Sequence, residues 1–198
     1  MSTMLSTVLF VCEGNVCRSP YAMVAFRERW RASGAPLPDV TSAGTHAPVG
    51  ADAHELLRPL VPHPVGADEL DQHRARRVTS ALLRGQDLVV TMERSHRADV
   101  LDAAPNLLRR TFTLVELERF ARAALAEGLQ PGADLQQLIA RHRLRMSTGS
   151  AADDVADPVA GGAQEFRSMV ERIDDALAVV VPVLVDLTTP DAAPGGTR

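Results

Sequence analysis

The chain has no lysine: all 21 of its basic residues are arginine. That excludes any mechanism needing a Walker lysine on a nucleotide phosphate or a lysine Schiff base, and the absence itself reads as compositional bias of the genome. Cysteine is nearly as scarce. Two thiols, Cys12 and Cys17, cannot build a disulfide framework in a chain of 198 residues, and the pattern suits a reducing cytoplasm. The N-terminus has neither a basic n-region nor an adequate apolar h-region, so no secretory leader is expected. The longest apolar run near the other end, Ala176 to Val185, is interrupted by Pro182 and is too short to span a bilayer. A strong charge excess is missing as well: a net charge of -4 leaves no basic footprint for nucleic acid. There is no internal repeat, and the histidines show no metal-ligand spacing.

What is present is ordinary globular composition, 45% apolar and 23% charged. The length suits one domain that removes roughly 70% of its surface from water. Thr7 to Val11 reads as a buried strand. Ser19 and Pro20 then form a helix-start signal, with Ser19 as the cap and Pro20 at the first helical position. That helix is expected to run to Ala32 and stop at Ser33-Gly34-Ala35-Pro36. A short strand follows at Val40 to Ser42, and a helical segment lies within Ala51 to Leu60, before a break at Pro62-His63-Pro64. Leu88 to Thr91 is a second buried strand, Arg94 to Ala103 a helix, and Thr111 to Leu114 a fourth strand. Ala163 to Val185 is the last long helix, with Phe166, Met169, Val170, Ile173 and Leu177 at helical spacing. Strands alternating with helices predict an α/β fold, a parallel sheet with helices on both faces and a ligand at the carboxyl ends of the strands. Two amphipathic stretches, Val115 to Glu127 and Asp134 to Arg145, predict a helical hairpin. Ser147 to Ala152 reads as loop.

The segment VLFVCEGNVCRSP, Val8 to Pro20, carries the chemistry. A glycine-containing turn between a strand and a helix start aims several backbone N–H groups into one concavity and adds the positive end of the helix dipole. A thiol at its mouth, Cys12, is then favoured as the anion and becomes a nucleophile. Arg18 returns to the same cradle, where its planar fork fits two oxygens of a tetrahedral anion. Cys-x5-Arg alone is weak in a chain this rich in arginine. The specific signal is the whole set of apolar strand, Cys12, Gly14, Asn15, Arg18, Ser19 and Pro20.

VCEGNVCRSP resembles the phosphate-binding loop of the low-molecular-weight protein tyrosine phosphatases. The likeness continues in SAGT (Ser42 to Thr45), HRAR (His73 to Arg76), DLVVTME (Asp87 to Glu93) and ADP (Ala156 to Pro158), covering about residues 7–114 and 153–186 in order. It implies a four-stranded parallel sheet in a Rossmann-like three-layer sandwich, a single phosphatase domain over 1–188, a helical insertion at 115–150 and a disordered tail at 189–198. It also implies hydrolysis of a phosphomonoester without metal or cofactor. Cys12 would attack phosphorus to give a phosphocysteine, and Arg18 with the loop 13–17 (Glu13, Gly14, Asn15, Val16, Cys17) and Ser19 would bind the phosphoryl group. Asp157 would be general acid and then base, and Ser19 would ease the departure of the sulfur. Asn15, Ser42 and His73 match the positions that brace the loop. The implied partner is a phosphorylated protein or small phosphate ester, with no nucleic acid or membrane, in the cytoplasm.

Each assignment has a plainer counterpart. Cys12 could be an inert buried thiol, and Cys17 a small core residue rather than a reversible disulfide partner of Cys12. Asp153 and Asp154 compete with Asp157 for the acid role, although the following proline stiffens Asp157. His73 could be a solvated surface residue, and Arg74, Arg76 and Arg77 a charged helix face or linker. The 115–145 stretch could be a surface insertion, or could cover the site mouth or dock a protein partner.

The pattern also departs from the family. The aromatic pocket wall of tyrosine-specific members is missing: Val159 and Ala160 follow Asp157-Pro158, and Ala47, Pro48 and Val49 follow the SAGT segment. Glu13 adds a negative charge to the loop, which disfavours an incoming dianion. Val16 is β-branched and apolar, where arginine phosphatases carry threonine. Besides tyrosine phosphatase, the alternatives are a small-molecule phosphatase, an arsenate reductase coupled to a low-molecular-weight thiol, and a non-catalytic phosphate-binding protein.

Overall fold

A computed structural model describes residues 5–61, 64–128 and 153–188. Four parallel strands, β1 (Thr7–Cys12), β2 (Asp39–Gly44), β3 (Leu88–Thr91) and β4 (Thr111–Thr113), form one sheet in the order β2-β1-β3-β4. β1 lies inside, with Val8 opposite both Val40 and Leu88. It is buried on both faces, which is why it reads as a continuous apolar run rather than an alternating one.

The two-residue period of the strands divides the core. Val8, Phe10, Cys12, Leu88, Val90 and Phe112 point into one cluster, shared with α1 (Arg18–Ala32), α2 (Pro64–Asp71), α5 (Leu114–Ala126) and α6 (Ala163–Thr188). Leu9, Val11, Ala43 and Val89 point the other way, towards Leu83 of the single turn α3 (Ser80–Leu83) and Val100 of α4 (Arg94–Ala103). The predicted three-layer α/β sandwich is therefore the observed one.

α1 is anchored by Trp30, whose indole N–H donates to the Pro36 carbonyl at 3.0 Å and whose ring stacks on Phe26 at 5.2 Å between centroids. It ends at Ser33, followed by Gly34 at φ 76°, a left-handed turn that favours glycine. Its start differs from expectation. The helix begins at Arg18 with Cys17 at the cap and no side-chain capping bond, because the Ser19 hydroxyl is turned to the Cys12 sulfur instead. The expected helix in Ala51 to Leu60 is a 3-10 segment, Glu55–Leu60, with Pro59 inside it. α2 starts at Pro64, where only a break was expected.

Val115 to Glu127 is helical as predicted, and it packs in the core rather than lying on the surface. α5 is closed at its start by a reciprocal capping box between Thr113 and Glu116. It buries Leu114, Leu117, Phe120 and Ala124 in the cluster shared with α6. Asp134 to Arg145, Ser147 to Ala152 and the tail at 189–198 lie outside the described residues, as does the hairpin predicted there.

All seven aromatic residues of the chain, five phenylalanines, Tyr21 and Trp30, are at most 3% exposed. Tyr21 donates its hydroxyl hydrogen to Asp174 on α6 at 3.0 Å, and burial foremost raises its pKa. Among the described residues, no helix is long and apolar enough to cross a membrane.

Candidate active site

The loop between β1 and α1 sits at the carboxyl end of the sheet, where an open parallel sheet places its ligands. Cys12 ends β1, 2% exposed. Its Sγ lies 3.0 Å from Ser19 Oγ and accepts the backbone N–H of Asn15 at 3.2 Å. Asn15 turns the loop at φ 54°, the one non-glycine in the left-handed region among the described residues.

Its side chain is fully spent. Nδ2 donates to Ser19 Oγ at 3.0 Å and to Ser42 Oγ at 2.9 Å, while Oδ1 accepts the Arg76 backbone N–H at 2.9 Å. Because Ser19 Oγ accepts from Asn15, its single proton is free to point at the sulfur, with the Ala43 carbonyl at 3.3 Å as the other acceptor. The sulfur thus faces two donors in a water-poor setting. His73, 9% exposed, has Nε2 2.7 Å from the Asn15 carbonyl, a geometry that fixes the proton on Nε2. Burial, then the nearby Arg76 and Arg74, lower its pKa against the opposing bond to Asn15, so the ring is neutral.

Gly44, the last residue of β2, is one that sequence reasoning matched without giving it a role. A Cβ there would lie 2.3 Å from the Glu13 carbonyl oxygen and 2.8 Å from the Asn15 nitrogen, so no side chain fits beneath the loop. Beside it, Thr45 and His46 donate their N–H groups to the Cys12 and Glu13 carbonyls at 3.0 and 2.9 Å. Arg76, expected to be a charged face, extends the brace by donating Nε to the Ser42 carbonyl at 2.8 Å.

Arg18 is 1% exposed. Its Nη1 donates to the Val155 carbonyl at 3.1 Å and pairs with Glu93, and its Nη2 pairs with Asp157. Glu93 is a second missed residue. It stands in the DLVVTME segment, and only the three-dimensional crossing of β3 past β1 reveals what it meets. Behind it lies His96, 3% exposed, with Nε2 4.0 Å from Glu93; burial foremost lowers its pKa.

The three aspartates separate by environment. Asp153 is fully buried and paired with Arg119. Asp154 accepts the Arg94 backbone N–H at 2.9 Å and its guanidinium at 3.1 Å. Burial acts to raise the Asp154 pKa, but the hydrogen bonds from Arg94 outweigh it and hold the carboxylate below its usual range. Asp157 alone of the three lines the pocket that Cys12 and Arg18 also line, a cavity of about 280 Å³. Its Oδ1 accepts the Val159 N–H at 3.1 Å, which fixes the carboxylate direction.

Glu13, Gly14, Val16 and Cys17 line the same pocket, as expected. The side chains of Asn15 and Ser19 do not: both are fully buried behind the sulfur, so they shape the loop rather than touch a ligand. Cys17 packs in the core cluster at 2% exposure. Burial above all, with Cys12 and Asp157 adding and Arg18 opposing, pushes its thiol up to about 12. The pocket rim adds His46 and Pro48, to which no role had been given. Among the described residues, no group of three or more histidine, cysteine or acidic side chains could hold a metal ion.

The family model for low molecular weight phosphotyrosine protein phosphatases matches residues 7–131, from β1 through α5. The chain belongs to this family. A low-molecular-weight protein-tyrosine-phosphatase of Streptomyces coelicolor is 32% identical over 173 residues, covering 85% of this chain and 87% of the relative. A probable family phosphatase, EpsP of Ralstonia nicotianae, is 32% identical over 117 residues, covering 59% of this chain and 76% of the relative. Among solved structures, the family phosphatase of T. tengcongensis superposes with a TM-score of 0.66 at 26% identity, over 89% of this chain and 98% of the other. The family match runs to residue 131 and so takes in α5, in accord with its place in the core.

Proposed function

We propose that this low-molecular-weight phosphatase hydrolyses phosphotyrosine in proteins through a phosphocysteine on Cys12. The observation that carries the reading is the Cys12 sulfur held by Ser19 Oγ and the Asn15 N–H at the floor of a pocket that Arg18 and Asp157 also line.

In the first step the Cys12 sulfur attacks phosphorus in line, the S–P bond forms and the ester P–O bond breaks. Asp157, in its protonated form, gives its proton to the leaving phenolate oxygen. The loop amides and the Arg18 guanidinium stabilise the charge that spreads over the equatorial oxygens. In the second step Asp157 takes a proton from a water that attacks the phosphocysteine. The S–P bond breaks, inorganic phosphate leaves, and the Ser19 hydroxyl stabilises the departing thiolate. Glu93 holds the second edge of the guanidinium, fixing the plane in which the fork meets the phosphoryl oxygens.

The test is a panel of a phosphotyrosine peptide, phosphoarginine, sugar phosphates and p-nitrophenyl phosphate, alongside arsenate with a low-molecular-weight thiol. The expected outcome is phosphate release fastest from the phosphotyrosine peptide, unaffected by chelators and abolished in Cys12→Ser. Thiol-dependent arsenate reduction without phosphate release would replace this reading with the reductase. Tight phosphate binding without turnover would replace it with a binding protein.

A further inference from the structure

Glu13 is the loop residue the mechanism leaves unused. It is exposed, lines the pocket beside Cys12, and makes no ion pair among the described residues. Its backbone is fixed: the carbonyl is held by the His46 N–H at 2.9 Å and lies over Gly44, whose lack of a side chain lets the loop sit that close. The side chain therefore extends from an anchored point at the mouth.

The local charge is unfavourable for a dianion on its own. Arg18 is the one arginine lining the pocket, and two carboxylates, Glu93 and Asp157, already share it. Glu13 adds a third negative group, without an ion-pair partner among the described residues. No Phe, Tyr or Trp ring reaches the rim, since all seven are buried, and beside the exposed imidazole of His46 the contact is aliphatic, from Val16, Pro48 and Val159. With no Phe, Tyr or Trp wall for the substrate ring, the exposed Glu13 carboxylate is the rim group placed to read charge beside the phosphotyrosine.

We propose that Glu13 is a specificity-determining residue that selects phosphotyrosines flanked by arginine or lysine, whose cation meets the carboxylate while the phosphoryl group enters the loop. This rests on the phosphotyrosine phosphatase reading above. A solvent-exposed pair of this kind is worth a factor of about two to five at low ionic strength, and it fades as salt shortens the Debye length.

The experiment compares kcat/KM on three phosphotyrosine peptides that differ only in having arginine, alanine or glutamate on both sides of the phosphotyrosine. Each is measured in wild type, Glu13→Gln and Glu13→Arg, at low and high salt. The expected ranking in wild type is arginine over alanine over glutamate, flattened by Glu13→Gln, inverted by Glu13→Arg and compressed by salt. Because the readout is a ratio within each variant, a general loss of activity does not mask it. Equal rates on the three peptides in wild type, or a ranking that survives Glu13→Gln, overturns the proposal and leaves the phosphatase reading standing. No hydrolysis of any of the three by wild type overturns both.

Discussion

The two halves of the site are built differently. The half that holds the proposed nucleophile, Cys12 to Ser19, is one continuous stretch whose buried polar groups are bonded into two other segments, SAGT through Ser42 and HRAR through His73 and Arg76. The acid half, Asp153 to Val159, reaches the site across more than a hundred residues of sequence. It is held by the Val155 N–H on the Met92 carbonyl at 2.8 Å and by aspartate–arginine pairs. The Asp157 side chain, the proposed acid, is 38% exposed, whereas the side chain of Arg18 opposite is 2% exposed. A buried network in which each donor has its acceptor is rigid and fails as a unit, whereas carboxylates as open as Asp154 and Asp157 contribute little individually. Damage to the loop should therefore affect folding and activity together, and damage at Asp157 should affect chemistry with little effect on stability.

The largest expected effect sharpens that contrast. Asp157→Asn should lower kcat on phosphotyrosine by about 10²- to 10³-fold, the scale of general acid catalysis, with much less loss on aryl phosphates whose leaving groups need no proton. Its thermal midpoint should stay near wild type. Loss equal across leaving groups would remove Asp157 from the acid role.

Gly44→Ala should do the reverse. A methyl group at 2.3 Å from the Glu13 carbonyl forces the loop backbone to move, which costs about 1–3 kcal/mol as overpacking does and lowers activity on all leaving groups alike. Denaturant titration beside kinetics on two substrates would show whether both fall together.

Arg94→Met should be smaller still. It removes the guanidinium bonds that help hold the Asp154 carboxylate below its usual range and leaves the backbone N–H bond in place, and pairs this open to solvent are weak. Rates on phosphotyrosine should change by less than about threefold if Asp154 has no catalytic part.

The mildest effect is on acid stability. His73 and His96 have pKa values lowered chiefly by burial, so below the ordinary histidine value of about 6.5 the unfolded chain binds protons that the folded one does not. Their contribution to stability is complete above that value and is lost as pH falls through it towards the lowered native values. Urea midpoints should drop between about pH 7.5 and 5.5, and His73→Gln should weaken that dependence.

How much of this was legible in the sequence follows from where the information lies. β1, the loop and α1 are contiguous, so periodicity and turn chemistry between Val8 and Pro20 were enough to pick out the loop that lines the pocket. The Ser19 cap was misread because a serine before a proline at a helix start ordinarily caps, and only the sulfur of Cys12 above it redirects the hydroxyl. The burial of α5 was not legible because its amphipathic pattern does not say what it packs on, and its partner α6 is distant in sequence. Glu93 and Gly44 were invisible in role for the same reason: each acts on a loop remote in the chain, one through an ion pair and the other through the absence of a side chain.

The central claim is that phosphorus is transferred to Cys12. Acid quench of Asp157→Ala during turnover of p-nitrophenyl phosphate, followed by mass spectrometry of the peptide spanning Val8 to Arg18, tests it directly. The account predicts one added phosphoryl group on Cys12, decaying as phosphate is released, and none in Cys12→Ser. Turnover in Cys12→Ser at a rate near that of wild type, or the phosphoryl group on any other residue, would contradict it.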